Sequence, residues 1–151
     1  MEFWEQLDFL DTLGAVTAAG IYLVCILIFA ARLLRRPDLG HKLGWALFLA
    51  AAPLAILLFE APAFGREALY YVQLLLMLGF LVLELALDYV LRLDFRRSRW
   101  GVIGYVVFFF AATGGMLGVA LKGGPVWMVI TLVLFFVMAA LAFIQRRVTG
   151  M

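Results

Sequence analysis

Residues 102–144 read VIGYVVFFFAATGGMLGVALKGGPVWMVITLVLFFVMAALAFI, two apolar runs parted only by Lys122-Gly123-Gly124-Pro125. Each run is close to the roughly 20 residues that an α-helix needs to cross a 30 Å hydrocarbon core. Neither contains a charged side chain. In the link, glycine supplies backbone angles that other residues avoid, and proline suits the first turn of the helix that follows. The segment therefore predicts two membrane-spanning helices folded back on each other as an antiparallel hairpin.

Working outward, three more apolar runs occupy residues 13–34, 43–59 and 68–91, which with 102–121 and 126–144 makes five expected spans. The run at 43–59 is the shortest. Pro53 interrupts it and Glu60-Ala61-Pro62 closes it, so a re-entrant or tilted segment is the alternative to a full crossing. A full span with a kink is the expectation, because membrane helices tolerate proline when neighbours satisfy the freed carbonyl. At 67% hydrophobic residues, the chain far exceeds the roughly 45–50% of a soluble domain. The expected fold class is an all-α integral membrane bundle of five transmembrane helices, a single domain over residues 1–151.

The charges orient this bundle. Of the twelve Lys and Arg residues, Arg32, Arg35, Arg36 and Lys42 surround the first link, Arg92, Arg96, Arg97 and Arg99 the third, and Arg146 and Arg147 the C-terminal end. Only Arg66 and Lys122 fall on the other side. Ten against two is a strong positive-inside bias, which places the N-terminus outside and the C-terminus in the cytoplasm of a plasma membrane. The opening stretch carries Glu2, Glu5, Asp8 and Asp11 without a basic residue, the reverse of a signal peptide's n-region. It is expected to stay uncleaved. Trp4, Trp45, Trp100 and Trp127 fall at span ends, where an aromatic belt would anchor them.

Little of the polar inventory suits catalysis. A nucleophilic triad needs a Ser or Cys beside a His held by a third group, whereas Ser98 lies in an Arg-rich link, Cys25 mid-span and His41 at the start of the second span. Cys25 has no second cysteine to pair with and reads as a small core residue. Metal-ligand spacings and phosphate-binding glycine loops are absent. The expectation is no enzyme, no cofactor, no metal site and, at a formal net charge of +2, no nucleic-acid partner. The expected partners are the lipid bilayer and either other protein subunits or further copies of the chain.

Helices in a bilayer associate through close packing and polar pairs, so small residues mark contact faces. Gly114 and Gly118 form a GxxxG pattern beside Gly115, and Gly14, Ala15 and Ala18 line one side of the first span. Gly118 is expected to touch another helix backbone.

The third span holds the one costly polar feature. Tyr70, Gln73, Met77, Glu84 and Asp88 recur at intervals that put them within one arc of a helix. Counting back from Leu91 at 1.5 Å per residue sets Glu84 about 10 Å inside the hydrocarbon. A carboxylate there costs about 2.5–3.5 kcal/mol on insertion scales, so it should face protein or water. Two readings follow. In the structural one, Asp88 pairs with Arg92 one turn on, and Glu84 reaches Arg32 or the Tyr105 hydroxyl to fix helix register. In the functional one, Glu84 and Asp88 exchange a proton or cation with the cytoplasm. The first makes the protein a non-catalytic subunit or scaffold of a membrane assembly, and the second a small proton- or cation-coupled transporter or channel.

Overall fold

The computed structural model describes residues 3–65, 67–86 and 99–149. Every element among them is helical: α1 (Phe3–Leu33), α2 (Pro37–Phe48), α3 (Ala51–Glu60), a short 3-10 turn (Ala61–Phe64), α4 (Ala68–Glu84), α5 (Arg99–Leu121) and α6 (Pro125–Thr149). Four stretches are long and apolar enough to cross a membrane: Phe9–Leu33, Asp38–Ala63, Arg99–Leu121 and Pro125–Val148. The fifth apolar helix, α4, has 17 residues. Its expected continuation through Asp88 to Leu91, and the expected partner Arg92, lie outside the described residues.

The second span shows what Pro53 does. A proline has no N–H to give and its ring collides with the carbonyl four residues back, which here is that of Leu49. The helix breaks at Leu49 and Ala50, dividing the run into α2 and α3, and the Leu49 carbonyl is instead approached by the Ala52 N–H at 3.3 Å. Leu49 and Ala50 keep right-handed helical angles, with N–H bonds three residues back to Ala46 and Leu47, so the run is kinked, as expected, and Asp38–Ala63 remains one stretch long enough to cross. His41, expected at the start of the second span, stands exposed on α2, which already begins at Pro37 with Asp38 in the first turn, where the helix dipole favours an acid.

The turn after α1 is a Schellman motif. The Arg36 N–H reaches the Ala31 carbonyl at 2.8 Å and the Arg35 N–H the Arg32 carbonyl at 3.0 Å. Arg35 takes the left-handed position at φ 60°, where glycine is usual. The link between α5 and α6 is as tight as its sequence requires: Lys122, Gly123 and Gly124 continue the turn with N–H bonds back to Val119, Ala120 and Leu121, and Gly124 adopts φ 116°.

Packing is organised around α1, which contacts α2, α3, α5 and α6, while α4 bridges α3 and α5. Helices α1, α3, α4 and α5 therefore close a ring, and α6 lies along α1 and α5. Small residues allow the closest approach. Ala15 and Ala18 of α1 are fully buried, a Cβ added at Gly14 would sit 2.8 Å from Val119 of α5, and one at Gly123 would sit 2.8 Å from Ala15. Tyr22, Leu54, Leu74, Met77 and Met116 fill the centre. Outward, Val129, Val133, Phe136 and Phe143 of α6 and Val72, Leu75 and Val82 of α4 are exposed. Apolar surface of that extent on successive helices suits lipid rather than water.

Candidate functional site

On α4 the buried positions are Tyr70, Leu74, Met77, Phe80, Leu81 and Glu84, one face at helical spacing. The opposite stripe, Val72, Leu75 and Val82, is exposed. Glu84 is 8% exposed, and its Oε2 accepts a hydrogen bond from the Tyr105 hydroxyl of α5 at 2.5 Å. The turn that follows widens to π-type at Leu85 and Ala86. Below the pair lies an aromatic bed: Phe80 meets Tyr105, Phe108 and Phe109 with ring centroids 5.6, 5.9 and 5.4 Å apart. Phe80 packs on the Tyr105 ring, and the burial of Glu84 is a setting in which a hydrogen bond is stronger than in water.

Gln73, about three turns back on the same helix, meets α5 differently. A Cβ added at Gly118 would lie 2.9 Å from Gln73 Cδ, and one added at Gly115 would lie 3.6 Å from Gln73 Cα. Gly118 therefore faces a polar side chain, not the helix backbone that the GxxxG pattern suggested. Gly114 contributes nothing to this contact, since a Cβ there would meet open space. The reason is rotational: Gly115 and Gly118 are three apart and share the face toward α4, from which Gly114 is turned away. Gln73 and Glu84 thus meet α5 at separate places, and the arc is not one polar path.

Arg32, the other partner expected for Glu84, is half-buried at the end of α1 with its guanidinium carbon 6.0 Å from the centroid of the Phe29 ring. It borders a cavity of about 260 Å³ enclosed by α1, α5 and α6. Tyr105, Gln145 and Arg146 line the same cavity, and the remaining wall is apolar, with Phe109, Phe110, Ala139 and Ala142 among its members. Tyr105 consequently belongs to two environments, with its hydroxyl on Glu84 and its residue in the cavity lining. The sequence marked Arg146 only as a topology signal and did not single out Gln145. The signal available was a polar Gln145-Arg146 pair directly after an apolar run, on a helix that must end beside α1.

Nearer the middle of the bundle, the Tyr22 hydroxyl of α1 donates to the Thr113 carbonyl of α5, and the Thr113 hydroxyl donates to the Phe109 carbonyl at 2.7 Å. Thr17 and Thr131 likewise bond carbonyls of their own helices at 2.7 Å. Cys25 is buried as a free thiol. Among the described residues no three His, Cys, Asp or Glu side chains gather as metal ligands would. No protein-family model matches this chain, and neither a curated protein nor a solved structure matches it significantly.

Proposed function

We propose that the protein is a non-catalytic multi-pass membrane protein that acts as a subunit or scaffold of a membrane assembly. The observation that carries this reading is the Glu84–Tyr105 hydrogen bond between α4 and α5, in which the most expensive polar group of the apolar runs is spent on holding two helices in register. The other described polar groups of the apolar runs mostly bond carbonyls of their own or a neighbouring helix. In this reading the apolar run at 68–91 is a fifth span. Ten of the twelve basic residues then face the cytoplasm of a plasma membrane, with the N-terminus outside.

Transport of a proton or cation is the second reading, favoured by one observation. Tyr105 both binds Glu84 and lines a cavity, so a displacement of its side chain would bring the carboxyl to that cavity. The two readings separate on flux. Purified protein reconstituted in vesicles is expected to pass protons and monovalent cations no faster than protein-free vesicles do. Purification in mild detergent is expected to retain a stoichiometric membrane partner or further copies of the chain. Cation- or proton-dependent flux that Glu84→Gln abolishes while the protein still folds would overturn the subunit reading, because an amide keeps a hydrogen bond but cannot ionise.

A further inference from the structure

The cavity between α1, α5 and α6 has a chemical polarity that the helix-pairing role of Glu84 does not use. We propose that it binds one anionic phospholipid, with the phosphate held by Arg32 and Arg146 and part of an acyl chain in the apolar chamber. This inference stands on membrane placement and is independent of the choice between subunit and transporter.

Several features of the site converge on that ligand. The chamber exists because α6 presents alanine at 139 and 142, three residues apart on one face, opposite the rings of Phe29, Phe109 and Phe110. Its volume of about 260 Å³ is near the lower end of ligand pockets, enough for a stretch of hydrocarbon chain. Two guanidiniums border it, from the last turns of α1 and α6. The Arg32 guanidinium lies over the face of Phe29, and Arg146 is exposed. A guanidinium offers a planar fork of donors that fits phosphate oxygens two at a time. Val106 and Phe143, both exposed, also belong to the lining, so the cavity opens sideways between α5 and α6 toward the bilayer. A lipid enters by that route without crossing water.

The same features select against other ligands. A free inorganic anion would leave the apolar chamber unfilled, and a zwitterionic headgroup would bring a quaternary ammonium toward two guanidiniums. Positive-inside placement and helix C-termini account for basic residues at these helix ends. They do not account for a cavity bordered by Arg146 while its neighbour Arg147, also in the last turn of α6, takes no part in it.

Native mass spectrometry of the full-length protein released from nanodiscs of phosphatidylglycerol and phosphatidylcholine, equimolar and with identical acyl chains, tests the assignment. One phosphatidylglycerol per chain is expected to survive, with a preference of roughly tenfold over phosphatidylcholine. Arg146→Gln should reduce retention roughly tenfold, and Arg147→Gln, which removes the same charge, should leave it unchanged. Ala142→Phe, which fills the chamber, should also release the lipid. Arg146 is exposed, so its variant keeps the test decisive where Ala142→Phe fails to fold. Equal retention of the two lipids, equal effects of Arg146→Gln and Arg147→Gln, or displacement of the lipid by millimolar inorganic phosphate would overturn the proposal.

Discussion

Replacing Tyr105 by phenylalanine removes one oxygen and keeps the ring in its aromatic bed, so the change isolates the hydrogen bond to Glu84. A bond to a charged group contributes about 1.5–3 kcal/mol in folded proteins, whereas interhelical bonds measured inside a bilayer average about 0.6 and reach about 1.7 kcal/mol. Glu84 is buried, which puts Tyr105→Phe near the upper membrane value, about 1.5 kcal/mol of destabilisation. Glu84→Leu leaves the phenol without this acceptor and should cost about 1 kcal/mol. Glu84→Gln retains an acceptor and should cost less than either. The decisive quantity is the pair Glu84→Leu/Tyr105→Phe. With both polar groups gone, neither end of this bond is left behind by the other, so the double variant should be less destabilised than Tyr105→Phe alone, a coupling of at least about 1 kcal/mol. Reversible unfolding by SDS in mixed micelles, followed by tryptophan fluorescence, measures all four proteins. Additive losses within about 0.3 kcal/mol would show that the two side chains do not hold α4 to α5.

Gly118→Leu should lower stability by about 1–3 kcal/mol, because the new side chain occupies the space of the Gln73 amide, while Gly114→Leu should be close to neutral; the same SDS titration compares them. Arg35→Gly should raise stability by up to about 1 kcal/mol in that assay, since it relieves a left-handed backbone at φ 60° and leaves Arg32 and Arg146 in place. Tyr22→Phe should cost about 0.5–1.5 kcal/mol by removing the bond to the Thr113 carbonyl, and hydrogen exchange at α5 amides near Thr113 should speed up with it.

Helix identity and the inward face of α4 were legible in the sequence because both are local. Apolar length marks a candidate span, and the spacing of Tyr70, Met77 and Glu84 marks one side of one helix. The consequence of Pro53 was legible as a kink, and it falls at Leu49 and Ala50, at the carbonyl that the ring would strike. The GxxxG pattern misassigned Gly114 because helix rotation is set by the partner, and α4 meets the face of Gly115 and Gly118. Glu84 could be foreseen to need a donor, and the Tyr105 hydroxyl reaches it because α5 lies beside α4. The cavity was not legible at all. Arg32 and Gln145 are more than a hundred positions apart, and only the docking of α6 along α1 and α5 brings them to one chamber.

The proposed topology, on which the orientation of the carboxyl pair and of the basic cavity depends, is tested most directly by side-specific labelling of single cysteines at Leu39, Ala63, Arg97 and Lys122 in a Cys25→Ala background. A membrane-impermeant maleimide added to intact cells should label the Ala63 and Lys122 positions alone, and labelling at Leu39 and Arg97 should require opening the cytoplasmic side. That pattern follows from five crossings with ten of twelve basic residues inside. Labelling of Ala63 and Leu39 from the same side would contradict it, for α2 and α3 would then enter and leave the bilayer on one face.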